Sequence, residues 1–267
     1  MQLTGFKNRI ALVTGAGGGI GAAVIQALLD AGARVVATDL AWPTGAGTRE
    51  NKGQDVNAGP GIDGLTRLTL DVRDAAAVDA AVAHVEDEIG PIHFGVSLAG
   101  VLATGLATET SDADWRQTFA VNTDGVFHLT RALARRMGPR RAGNLVAVSS
   151  NAAGVPRYGM AAYAASKAAT TMYMRSLGLE LAPLGIRCNI VAPGSTRTPM
   201  QTGMWADASG EHRVIAGIPE QFKAGIPLGK IGEPADVAAA VMFLLSDQAK
   251  HITIADLYVD GGATQRA

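Results

Sequence analysis

Short β-branched and apolar runs alternate with longer Ala/Leu-rich segments through almost the whole chain, and this alternation constrains the fold most. "RIALVT" (9–14), "RVVATD" (34–39), "LTRLTLDV" (65–72), "FGVSLAG" (94–100), "NLVAVSS" (144–150), "IRCNIVAPG" (186–194) and "DLYVD" (256–260) read as strands. Between them, "IGAAVIQALLDAGA" and "AAAVDAAVAHVEDEIG" read as helices, the second with an apolar stripe at Val78, Ala81, Val82 and Val85. A long helix is expected from about Asp114 past Met137, another around Tyr163, and a last one from Pro234. Nearly continuous apolar strands alternating with helices imply a parallel sheet covered on both faces. Right-handed crossovers make that a doubly wound, Rossmann-like α/β sheet. No linker divides the chain, so residues 1–267 are expected to form a single domain. Two stretches fall outside the pattern: 41–64, rich in Gly and Pro and expected to be a mobile surface loop, and roughly Thr196–Gly225, expected to be an irregular lid.

The turn after the first strand, "VTGAGGGIGAAV", carries Thr14, Gly15, Gly19, Ile20 and Gly21; a GxGxxA reading from Gly17 also fits. Glycines there let the backbone approach a pyrophosphate, whose charge then sits on amides at the helix start. Such a turn is also a plain architectural device, and Asp39 decides between the two. It ends the second strand, where a carboxylate accepts hydrogen bonds from ribose hydroxyls and repels a 2′-phosphate, which points to NAD rather than NADP. Asp71, beside Val72 at the end of the third strand, is placed to meet the adenine amino group, or merely to cap the next helix.

Tyr163 and Lys167 stand at i and i+4 in "PRYGMAAYAASKAAT", on one side of a helix otherwise made of small residues. Bringing a phenol from a pKa of about 10 to about 7 takes roughly 4 kcal/mol. An ammonium about 4 Å away supplies about that at an effective dielectric near 20. The pair therefore makes a general base for an alcohol, with Ser150, at the end of the fifth strand, holding the substrate oxygen.

These motifs identify the chain as resembling the short-chain dehydrogenase/reductase family over essentially its full length. The resemblance places the glycine motif on Thr14, Gly15, Gly19 and Gly21, and the catalytic set on Asn122, Ser150, Tyr163 and Lys167. It implies that Asn122 bends the long helix and holds a water in a proton path, and that Lys167 also binds the nicotinamide ribose. It further implies that Ala99 and Gly100 line the cofactor, and that Pro193, Gly194 and Thr198 in "APGSTRTP" face the nicotinamide carboxamide. The usual Asn-Asn-Ala-Gly is here Ser97-Leu98-Ala99-Gly100, a departure that bears on local stability more than on chemistry.

The stretches "WRQTFAVNTDGVF", "PRYGMAAYAASKAA", "EQFKAGIPLGKI" and "HITIADLYVDGGAT" resemble, more narrowly, the 2,3-dihydro-2,3-dihydroxybenzoate dehydrogenases of catechol siderophore synthesis. That likeness implies NAD-dependent oxidation of the ring 3-hydroxyl of a cyclohexadiene carboxylate, followed by aromatisation to 2,3-dihydroxybenzoate. The 2-amino analogue, trans-2,3-dihydro-3-hydroxyanthranilate, is the alternative substrate. Arg157 is the first choice to bind the carboxylate and Arg197 the second, with Met160, Met200, Met204 and Trp205 as an apolar wall or as plain packing. The family resemblance also implies a homotetramer.

A formal charge of −1 supplies no basic field for nucleic acid or anionic membrane. No apolar run reaches spanning length and the start lacks a signal-peptide layout, so no membrane partner is expected. The single Cys188 excludes an internal disulfide and no CxxC pair suggests zinc, so no metal is expected and a reducing cytoplasm is the expected home.

Overall fold

Every residue of β1 (Ile10–Thr14) is buried, as a strand covered on both faces must be. A computed structural model of the chain describes residues 2–42 and 63–265. The stretch 41–64 expected as a surface loop therefore lies, except at its two ends, outside the described residues.

From β1 the chain runs through α1 (Gly19–Asp30), β2 (Arg34–Asp39), β3 (Leu65–Thr69), α2 (Ala75–His84), β4 (Ile92–Ser97), α3 (Asp112–Phe119), α4 (Gly125–Arg140) and β5 (Asn144–Val148). It continues with α5 (Ala161–Leu181), β6 (Arg187–Pro193), α6 (Pro199–Thr202), α7 (Gly210–Ala216), β7 (Gly217–Ile218), β8 (Lys223–Ala224), α8 (Pro234–Leu245) and β9 (Asp256–Val259). Seven strands form one parallel sheet in the order β3-β2-β1-β4-β5-β6-β9. The order reverses between β1 and β4, and it is outside the carboxyl ends of strands at such a reversal that an open α/β sheet binds ligands.

Alternation along the strands divides the core. Ala11 and Val13 of β1 pack with Val24 and Leu28 of α1 and Val237 and Val241 of α8. Ile10 and Leu12 point the other way, into a cluster with Val78 and Val82 of α2, Leu129 of α4 and Met174 of α5. Val78, Val82 and Val85 of the predicted stripe are buried, and Ala81 packs partly buried beside them.

Two expectations need correction. The long helix is not one α-helix: α3 and α4 are joined by a π-type turn at Ala120–Asp124, which contains Asn122. The stretch 196–225 is ordered rather than irregular. It folds as α6, α7 and the antiparallel pair β7–β8, seated on a small core of its own formed by Val214, Ile226 and Ile231.

Candidate active site

The turn from β1 into α1 takes its shape from contacts only glycine permits. Gly15 has φ +69°, and a Cβ there would lie 2.4 Å from the Ala99 amide nitrogen on the loop leaving β4. A Cβ on Gly21 would lie 2.2 Å from the Gly15 carbonyl oxygen. Glycines at both places let α1 start hard against the sheet. Its N-cap is Gly18, which offers no side chain to the first-turn amides. Those amides and the helix dipole suit a pyrophosphate, and Gly19 and Ile20 line the same cleft. Thr14 lies behind this turn, fully buried, and not in the cleft wall.

The cleft, about 590 Å³, runs from this turn along the carboxyl ends of the strands. At one end Asp39 accepts the Gly17 amide on Oδ2 at 2.8 Å, which fixes the carboxylate beside the glycine turn. Asp71 and Val72 line the wall too, but Asp71 is occupied: the Arg73 guanidinium donates to both its oxygens and holds its carboxyl below the usual range. The capping role falls to Asp74, which accepts from Ala76 and Ala77. Arg73 also donates to Gln117 at 2.9 Å, and both line the cleft, a pairing the spacing of the sequence did not signal.

Ala99, Gly100, Pro193, Gly194 and Thr198 form the middle of the wall. Thr198 accepts the Gln201 amide at 3.3 Å as N-cap of α6. Gly194 packs so closely on β9's end that a Cβ would lie 2.6 Å from the Asp260 Cβ. A Cβ on Gly100 would sit 3.4 Å from both Asn122 Oδ1 and Lys167 Nζ, so this glycine keeps a narrow space between them.

Asn122 works through the chain around it. Its Oδ1 accepts the Val101 amide at 2.8 Å, and its Nδ2 donates to the Val101 carbonyl and to Ser166 Oγ, both at 3.0 Å. Its carbonyl accepts the Thr170 hydroxyl at 2.7 Å. The side chain thus ties the π-type turn to the loop after β4 and to α5. It does not itself line the cleft.

Ser150, Tyr163 and Lys167 come together in the cleft. Ser150 Oγ accepts the Ala152 amide at 3.1 Å, leaving its hydrogen to donate. That hydroxyl stands toward the Tyr163 phenol and lowers its pKa in part. Lys167 Nζ donates to the Val148 carbonyl at 3.1 Å and lies 5.8 Å from the Tyr163 ring centroid.

Here the electrostatic expectation is corrected. In the chain by itself the Tyr163 phenol is pushed up, not down: burial dominates and the Ser150 hydrogen bond opposes it only in part. Burial also depresses the Lys167 ammonium, to about 8. The two groups are thus driven apart in acidity, the lysine releasing its proton at lower pH than the phenol. A phenolate near neutral pH then needs positive charge beyond the lysine.

The depressed Lys167 has a consequence for stability. Between pH 8 and about 10.5 the unfolded lysine binds a proton that the folded one has released, so stability rises with pH through that window. Relative to Lys167→Met, the ligand-free wild type should gain about 2 kcal/mol between pH 8 and pH 10 in paired thermal melts. A difference independent of pH would contradict the depressed lysine.

At the open end of the cleft, Arg157, Met160, Met200 and Met204 line the wall, with both of the last two partly exposed. Arg197 is not brought there. Its guanidinium donates to Glu211 at 2.7 and 2.9 Å and to Glu233 at 2.9 Å, pinning α7 to the start of α8. Trp205 packs against Gly210 and the Val214 cluster instead of the cleft. Lys223, inside the quoted "EQFKAGIPLGKI" but given no role from sequence, does line the cleft.

The family profile described as enoyl-(acyl carrier protein) reductase matches residues 15–264. The chain belongs to the short-chain dehydrogenase/reductase family. It is 48% identical to the 2,3-dihydro-2,3-dihydroxybenzoate dehydrogenase of Bacillus subtilis (strain 168), over 99% of each chain. The enzyme of that name from Escherichia coli (strain K12) is 42% identical, over 97% of this chain and 98% of its own. Among solved structures, the ligand-free aldohexose dehydrogenase of Thermoplasma acidophilum superposes with a TM-score of 0.83 at 29% identity, covering 100% of this chain and 98% of its own.

As in its family, the cofactor is a nicotinamide dinucleotide. The residues present fit one: a glycine cradle that any Cβ would fill, uncapped amides at α1, and a carboxylate at the end of β2. No described helix is long and apolar enough to cross a membrane. Among the described residues, no three His, Cys, Asp or Glu side chains group as metal ligands.

Proposed function

We propose that this protein oxidises the ring 3-hydroxyl of 2,3-dihydro-2,3-dihydroxybenzoate with NAD⁺, yielding 2,3-dihydroxybenzoate for catechol siderophore synthesis. The observation that carries this reading is the 48% identity, over 99% of both chains, with a dehydrogenase named for that substrate. The cleft chemistry accords with it: a Ser–Tyr–Lys set for an alcohol, methionines for a ring, and a cationic Arg157 for a carboxylate.

In this reading Tyr163, as phenolate, takes the proton of the 3-hydroxyl, and the Ser150 hydroxyl donates to the same oxygen. Lys167 stabilises the phenolate and gives its remaining hydrogens to the nicotinamide ribose. A nicotinamide dinucleotide held along the glycine turn and beside Lys167 would supply the hydride acceptor for C3, and its positive ring charge would add to that of Lys167. Asn122 acts by position, tying the π-type turn to the loop after β4 and to α5, which carries Tyr163 and Lys167. The ketone left at C3 tautomerises to the aromatic catechol, which makes the oxidation one-way.

The cofactor residues are Thr14, Gly15, Gly19, Ile20, Gly21, Asp39, Asp71, Val72, Ala99, Gly100, Pro193, Gly194 and Thr198. Asp39 favours NAD over NADP, because its carboxylate faces the position a 2′-phosphate would take. Thr14 acts from behind, by shaping the turn. Residues 1–267 act as one domain, and the assembly is a cytoplasmic homotetramer. Support for a tetramer comes from apolar side chains left exposed on α4 and α5: Phe127, Met172 and Leu179.

The test is NADH formation, followed by absorbance, from the trans-dihydrodiol acid with NAD⁺ and with NADP⁺. The 2-amino analogue serves as the comparison compound, since the relatives are named for the diol. Turnover of the diol with at least about tenfold preference for NAD⁺ is expected. Faster turnover of the amino compound would overturn the substrate, and preference for NADP⁺ would overturn the role of Asp39.

A further inference from the structure

The tip of the β7–β8 hairpin reverses the ordinary distribution of side chains. Phe222, at φ +52°, is 95% exposed, whereas its charged neighbour Lys223 is turned inward and half-buried in the cleft wall. Charged residues are normally the exposed ones, so burying the ammonium while leaving a phenyl in water needs a compensating partner. Lys223 Nζ makes no hydrogen bond or ion pair among the described residues. Burial first, and then the charge of another cation lining the same cleft, the Arg157 guanidinium, push the lysine's pKa down.

Arg157 is in the same condition. It is half-buried in the cleft wall, burial lowers its pKa, and no hydrogen bond satisfies its guanidinium among the described residues. Asp260 is the carboxylate that attracts it. That group is already held by the Gly262 amide at 3.0 Å, by Asn151 Nδ2 at 3.3 Å and by the Thr264 hydroxyl. Two desolvated cations, with Asp260 attracting Arg157 alone, leave a net positive pocket at the end of the cleft away from the glycine turn.

We propose that Lys223 and Arg157 together form the clamp for the substrate carboxylate, so that the β7–β8 hairpin selects anionic ring substrates. This rests on the carboxylate substrate proposed above and extends it to a residue on a separate element. Arg157 offers a planar fork to the carboxylate and Lys223 a point charge from the hairpin side. An anion between them removes their mutual repulsion and satisfies both, so binding and seating of the hairpin are coupled.

The experiment is titration of NADH-loaded protein with 2,3-dihydroxybenzoate and with its neutral isostere 2,3-dihydroxybenzamide. The variants are K223M, R157M and K223R, with K223Q standing in should K223M not fold. Wild type should bind the acid about tenfold to a hundredfold more tightly than the amide. K223M and R157M should each lose most of that preference, and K223R should keep it. In turnover, K223M should raise KM for the dihydrodiol acid by a larger factor than it lowers kcat. Absence of acid preference in wild type, or an intact preference in K223M, would overturn the clamp. Acid preference without any NADH from the dihydrodiol would leave the clamp standing and remove the proposed reaction. Turnover of the dihydrodiol with the preference unchanged in K223M would do the reverse.

Discussion

Tyr163→Phe should lower kcat by about 10³-fold, within the range of about 10²–10⁴ for removing a general base. NADH binding, read by fluorescence, should change little, because the ring and its packing remain and only the hydroxyl is lost. The protein's stability should hardly fall, since the hydroxyl's described partner is Ser150, which keeps its bond to the Ala152 amide. The pH profile gives an independent view of the same group. Burial raises Tyr163 and lowers Lys167 to about 8, so oxidation should increase with pH as the Tyr163 phenol gives up its proton. Lys167→Met removes the positive partner and should shift that limb upward by about one pH unit or more. A variant Tyr163→Phe that kept a tenth of wild-type kcat would mean that another group takes the proton.

Gly15→Ala should be the most damaging single methyl in the chain's cofactor turn. The residue sits at φ +69°, and the new Cβ would lie 2.4 Å from the Ala99 nitrogen and 2.6 Å from the Leu98 carbonyl carbon. Both neighbours are backbone leaving the central strand β4, so no side-chain rotation relieves the contact. We expect a loss of about 3–5 kcal/mol. That corresponds to a fall in Tm of about 10 °C for a domain of this size. NAD affinity should drop as well, because the turn that presents the α1 amides must move. Gly232→Ala is the matched control. Its Cβ would make ordinary contacts, the nearest neighbour being the Ser195 carbonyl oxygen at 3.6 Å. It should change stability by no more than about 0.5 kcal/mol. Equal melting temperatures for the two variants would refute the packing argument.

What could be read from the sequence was what repeats locally or follows from chain order. Apolar runs placed the strands, and the resemblance placed the catalytic set. Tyr163 and Lys167 share a helix face by spacing alone, and Asp39 ends its strand where the pattern stops. The π-type turn at Asn122 was not legible as such, because an i+5 turn differs little in its apolar spacing from the α-helix on either side. The order in 196–225 was missed for another reason. Its small core joins Val214, Ile226 and Ile231, which are separated by turns and show no helical or strand period.

Arg197 and Lys223 show most directly what lies beyond a linear reading. Arg197 stands near the right loop, yet Glu211 and Glu233, contributed by two other elements, draw its guanidinium out of the cleft. Lys223 looks like an ordinary loop cation, yet the hairpin turns it inward to face Arg157. The phenol belongs with them, since burial, which no spacing reports, reversed the direction of its shift. The sequence by itself determined the doubly wound sheet, the family and the identity of the reacting groups, because these depend on periodicity and on residues close in the chain. Only the tertiary structure decided which charges reach the cleft and how strongly each holds its proton. Both are set by desolvation and by partners that folding brings from distant segments.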